Sequence, residues 1–161
     1  NDDAGIEGLK VARSIALLSY RHYEAYGISQ IEESNDVLND FKSESYQRYQ
    51  GEKLANRFNA FSYYFLSKAM DAHNIGRGRQ SIELSLKEIK AKTLVIGIGN
   101  DVLFPVEEQR FLAATINGAA FKVIDSFYGH DGFLLEYEII TKSISAFLKQ
   151  HSKEDLEKEL V

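Results

Sequence analysis

Two short runs, Thr93-Leu94-Val95-Ile96-Gly97-Ile98 and Ala119-Ala120-Phe121-Lys122-Val123-Ile124, lie either side of a stretch that opens with Pro105 and continues with helical spacing to Ala114. The first run is β-branched and continuously apolar, bounded by Lys92 and Gly99, as a strand buried in a parallel sheet requires. Proline has no N–H to lose at the start of a helix, so Pro105 marks where the intervening helix opens. A long amphipathic helix is predicted over Phe133–Gln150, burying Leu135, Ile139, Ile140, Ile144, Phe147 and Leu148. The charged tail from His151 to Val161 either extends that helix or frays. Strand, helix, strand, helix is the alternation of an α/β fold with a parallel sheet. Two strands do not cover a parallel sheet on both faces, so they are expected at the edge of a larger sheet whose other strands lie upstream.

The first half has a different period. Apolar residues recur at helical spacing from Ile6 to Tyr26 through Leu9, Ala12, Ile15, Ala16 and Tyr23, and Gly27 supplies a C-terminal stop. Ser29–Asp40 is polar and acidic and reads as a loop. A second helix is predicted over Ser43–Leu54 and a third over Asn59–His73, with Asn59 as N-cap and Gly76 and Gly78 as breakers. The change of period divides the chain into a helical region, 1–90, and an α/β region, 91–161. Tyr46, Tyr49, Phe58, Phe61, Tyr63, Tyr64 and Phe65 crowd several faces of the helices, so these helices are expected to pack on one another and on further structure.

Charge and cysteine content remove whole classes of function. With 19 basic against 24 acidic residues the net charge is −5, unsuited to a phosphate-dominated nucleic-acid surface. There is no cysteine, hence no disulfide, thiolate nucleophile or cysteine metal site. His22, His73 and His151 have no partner at ligand spacing, and no metal site is expected. No apolar run reaches the roughly 18–20 residues of a membrane span. The acidic opening Asn1-Asp2-Asp3 is the reverse of a secretory signal, and a cytoplasmic location is expected.

Parallel-sheet folds carry their chemistry beyond the C-terminal ends of strands. Asp101 follows the first run and His130 the second, which is the end of the Ser…Asp…His order of the α/β-hydrolases. Each residue alone also has a structural reading: Asp101 as a turn or helix-cap residue, His130 as a turn residue with a solvated ring. Gly97-Ile98-Gly99 lacks the third glycine and the directly following helix of a dinucleotide loop.

The segments Gly99-Asn100-Asp101-Val102-Leu103-Phe104-Pro105 and Tyr128-Gly129-His130-Asp131-Gly132-Phe133-Leu134 resemble the acid and base segments of the homoserine O-acetyltransferase family. Gly8–Ala16 with Ser19-Tyr20-Arg21 is similar to that family's first lid helix, and Glu44–Lys53, Arg57–Ala60, Ala69–Asp71 and Gly76–Arg79 resemble its next segments. The resemblance implies the C-terminal part of an α/β-hydrolase fold preceded by a helical lid that also forms a homodimer. It implies acetyl transfer from acetyl-CoA, a co-substrate with no bound cofactor, to L-homoserine on the route to methionine. Asp101 would be the acid and His130 the base of a Ser-His-Asp triad. Arg13 and Tyr20, seven residues apart and so on one helix face, match positions that bind homoserine, as does Asp131. Their structural readings are a surface ion pair, a packing tyrosine and the turn residue of Asp-Gly. Arg77 and Arg79 read as loop cations.

Two departures stand out. No serine sits on a Gly-x-Ser-x-Gly elbow, so the nucleophile is expected outside this chain and the chain alone is expected to be inactive. Asn59 stands where the family more often has Asp. Competing readings are a transferase using another acyl group such as succinyl, a hydrolase, and a non-catalytic helical dimerisation module.

Overall fold

A computed structural model describes residues 4–159, with side chains placed through residue 152. The ends of the acidic opening and of the charged tail, residues 1–3 and 160–161, lie outside the described residues. The chain forms two compact units that divide between Asn74 and Ile75. The division precedes the change of period at 90/91 because a short helix in that interval packs on the second unit.

The first unit is helical: α1 Ile6–Tyr20, α2 Tyr23–Ser29, α3 Lys42–Ala55 and α4 Ala60–Asp71. The helix predicted over Ile6–Tyr26 is broken. Arg21 and His22 take extended backbone, and the chain restarts as α2, which runs through Gly27 instead of stopping there. Tertiary contacts explain the break. The Arg21 guanidinium lies 5.3 Å from the Tyr46 ring centroid, and Tyr26 meets the same ring edge-on at 6.3 Å.

Leu9 and Leu17 of α1 and Leu54 of α3 are buried. The α1–α3 crossing is close because of Gly51: a Cβ there would lie 3.0 Å from the Lys10 carbonyl oxygen. Ser14 Oγ donates to the Lys10 and Gln47 carbonyls, tying the same two helices. Asn59 caps α4 as expected, its Oδ1 accepting from the backbone N–H of Phe61 (2.9 Å) and Ser62 (3.3 Å).

The second unit opens with α5 Ile82–Lys87, a helix of six residues that periodicity did not reveal. Ser81 caps it by accepting from Leu84 N at 3.1 Å, and Asn117 Nδ2 donates to the Lys87 carbonyl. Strands β1 Leu94–Ile98 and β2 Ala120–Ile124 are parallel, in register from Leu94↔Ala120 to Ile98↔Ile124. The crossover helix is α6 Val106–Thr115, with Pro105 at its N-cap position. Gly97 lets α6 approach the strand, since a Cβ there would meet Val106 Cγ2 at 2.9 Å.

After β2 come a 3-10 turn Gly129–Asp131, α7 Gly132–Leu135 and α8 Tyr137–Glu159. The single helix predicted over Phe133–Gln150 is thus two. Glu136, at φ −86° and ψ 35°, leaves helical geometry and separates them. Among the described residues no helix is long and apolar enough to cross a membrane.

Candidate active site

The loop after β1 is shaped by its own aspartate. The Asp101 N–H donates to the Ile98 carbonyl at 3.2 Å, closing a turn directly at the strand's end. Asp101 Oδ1 then accepts from the backbone N–H of Leu103 (2.8 Å) and Phe104 (2.9 Å). This is the turn role anticipated for an Asp in that setting. It uses only one carboxylate oxygen. The other, Oδ2, lies 2.8 Å from His130 Nδ1. The turn and the contact with His130 therefore coexist in one side chain. Its side chain is 6% exposed, and burying a carboxylate is costly unless its lone pairs are used; here three donors use them.

The loop after β2 presents the histidine. Gly129 takes φ 63°, a left-handed conformation that suits glycine, and turns the chain into the 3-10 segment carrying His130. Ser126 is buried, and its Oγ accepts from Tyr128 N at 3.1 Å. Gly132 lies so close to Ser126 and Ile98 that α7 starts directly against the end of β1. Because β1 and β2 are adjacent and in register, their two loops emerge side by side, and the Asp101–His130 pair spans them. A carboxylate facing Nδ1 places the proton there and leaves Nε2 as the basic nitrogen of the neutral ring. A cavity of about 330 Å³ adjoins the pair, lined by Ile96, Phe104, Gln109 and Phe133 besides Asp101 and His130.

Of the other residues singled out in the sequence, Asp131 ends the 3-10 turn and is half-buried beside His130. Arg13 and Tyr20 belong to the first unit. The Arg13 guanidinium lies 5.4 Å from the Tyr20 ring centroid, so the seven-residue spacing does bring them together on one face of α1. Two neighbours of the histidine were not anticipated. Phe104 and Phe133 each place a ring centroid 5.2 Å from the imidazole. Both lie inside the two segments that carry Asp101 and His130, but nothing in their spacing announces that they converge.

The same two segments lie within extensive similarity to known proteins. The homoserine O-acetyltransferase of Cyclobacterium marinum is 47% identical over 150 residues, covering 93% of this chain and 42% of that protein. Among solved structures, the homoserine O-acetyltransferase of Staphylococcus aureus superposes with a TM-score of 0.70 at 30% identity, over 90% of this chain and 42% of that one. That of Bacillus anthracis gives 0.79 at 20% identity, over 89% and 41%, and speaks for the fold alone. No family profile matches the sequence. The chain is a homologue of the homoserine O-acetyltransferases and has part of the α/β-hydrolase fold. It spans about two fifths of the length of the curated relatives it matches.

Proposed function

We propose that this chain, as a homologue of the homoserine O-acetyltransferases, supplies the acid and the base of an acetyl transfer from acetyl-CoA to L-homoserine. The observation that carries the reading is the 2.8 Å contact between Asp101 Oδ2 and His130 Nδ1 at the ends of adjacent parallel strands. The nucleophile in this reading is a serine hydroxyl from polypeptide outside these 161 residues, since no serine of the chain stands in a Gly-x-Ser-x-Gly sequence.

The reaction then runs in two halves. His130 Nε2 takes the serine proton as the oxygen attacks the thioester carbonyl. The tetrahedral adduct collapses, the C–S bond breaks, and the imidazolium returns the proton to the departing thiolate. His130 next takes the proton of the homoserine hydroxyl, whose oxygen attacks the acetyl-serine. The ester product leaves and the proton goes back to the serine. Asp101 holds the Nδ1–H tautomer and balances the imidazolium charge in both halves.

Arg13, Tyr20 and Asp131 are proposed as substrate contacts. The guanidinium matches a carboxylate with two parallel donors, the phenol supplies one hydrogen bond, and the aspartate suits an ammonium. No bound cofactor enters the scheme. The chemistry resides in the side chains and the thioester.

The experiment is thiol release from acetyl-CoA by the complete polypeptide containing this chain, with and without L-homoserine. Homoserine-dependent release with formation of O-acetylhomoserine, abolished in His130→Ala, is the expected result. Release that ignores homoserine would favour a hydrolase. Activity with succinyl-CoA in place of acetyl-CoA would reassign the acyl donor.

A further inference from the structure

We propose that Phe104 and Phe133 are positioning residues for His130, holding the imidazole plane so that Nδ1 stays on Asp101 while protons enter and leave at Nε2. The proposal rests on the reading of His130 as the base. The hydrogen bond at Nδ1 fixes one point of the ring, and contacts on its faces and edges fix its plane. Two aromatic contacts do so, one from each loop: Phe104 meets the imidazole at an interplanar angle of 67°, Phe133 at 54°, both at 5.2 Å.

Phe104 is 48% exposed and Phe133 50%, so neither is a core residue, yet the His130 side chain between the two loops is only 15% exposed.

Each ring is itself anchored to the machinery it serves. Phe104 lies three residues after the acid, and its backbone N–H donates to Asp101 Oδ1. With its amide nitrogen toward the loop, Gln109 donates to the carbonyls of Phe104 (3.2 Å) and Pro105 (3.0 Å), tying that backbone to α6. Phe133 lies three residues after the base, on the first turn of α7, whose start is seated by the contact of Gly132 with Ser126. The imidazole is thus flanked by two rings whose backbones belong to the Asp101 turn and to the start of α7.

The test is imidazole-resolved NMR on the complete polypeptide containing this chain, with ring ¹⁵N labels, comparing the unsubstituted protein with Phe104→Leu, Phe133→Leu, Phe104→Tyr and Phe133→Tyr. The unsubstituted protein should show the Nδ1–H tautomer, one imidazole rotamer, and nuclear Overhauser contacts from His130 to both phenyl rings. Each Leu variant should speed exchange of the Nδ1 proton with water by about threefold to tenfold, the factor one aromatic contact is worth. The Tyr variants should restore the slow rate. A merely structural role would lower the melting temperature without moving tautomer or exchange. Unchanged tautomer and exchange in both Leu variants overturns the proposal. So does the absence of ring contacts in the unsubstituted protein, a result that does not depend on any variant folding. Because the readout is the ring and not turnover, an enzyme without transferase activity leaves this inference standing. A mobile ring in an active enzyme defeats it alone.

Discussion

At the residue scale, Asp101 does two jobs with two oxygens, and they can be separated by substitution. Asp101→Asn keeps one carbonyl oxygen, enough to accept from Leu103 and Phe104, but turns an amide toward His130 or rearranges the turn to avoid it. The tautomer is then wrong even where the loop is intact. In the complete enzyme kcat should fall by about 10⁴-fold, the scale for removing the acid of such a triad, while the melting temperature changes little. Steady-state kinetics beside a thermal melt reads both. His130→Ala should cost at least as much. This pair was legible in the sequence because an Asp and a His, each following a strand-like run, sit where parallel sheets expose polar groups. The rings around it were not legible, because aromatic contacts depend on where side chains point in space.

The element scale shows where local signals suffice. Asn59 and Pro105 marked helix starts because their chemistry is local: the Asn59 side chain accepts from backbone N–H groups two and three residues on, and a proline has no N–H to leave unpaired where a helix begins. Asn59→Ala should destabilise the first unit by about 1 kcal/mol, and Asn59→Asp should retain the cap, both measured by denaturant titration. The breaks at Arg21–His22 and Glu136 escaped because periodicity continues across them; at the first, Arg21 and Tyr26 both meet the ring of Tyr46, from a different helix. Helix α5 escaped because six residues are too few for a period to show.

Gly51 is also a tertiary matter. Gly51→Ala sets a Cβ against the Lys10 backbone, which a side-chain adjustment cannot relieve, and should cost about 1–3 kcal/mol in the same titration.

One electrostatic detail belongs to α5. Glu83 has its carboxyl held below the ordinary 4.5, first by its own backbone N–H at the helix start and then by Ser81. A carboxyl depressed in the fold stabilises it above the unfolded value, and that contribution is lost as pH falls from 4.5 through the lower folded value. Amide shifts of α5 should therefore report acid fraying in that window. Glu83→Gln should flatten the response.

At the scale of the molecule, the sheet has two strands among the described residues and the helical unit keeps much apolar surface. Val11, Ile15 and Leu18, 59–64% exposed, form one stripe on α1.

The larger claim is that these residues hold the proton-handling half of an acyl transfer whose nucleophile lies elsewhere in the polypeptide. The sharpest measurement is peptide mapping by mass spectrometry after mixing the complete protein with acetyl-CoA and no homoserine. The account predicts one acetylated serine, outside these 161 residues, cleared on adding homoserine and not formed in His130→Ala. An acetyl group on a residue of this chain that is cleared by homoserine, or transfer that proceeds unimpaired in His130→Ala, would contradict it.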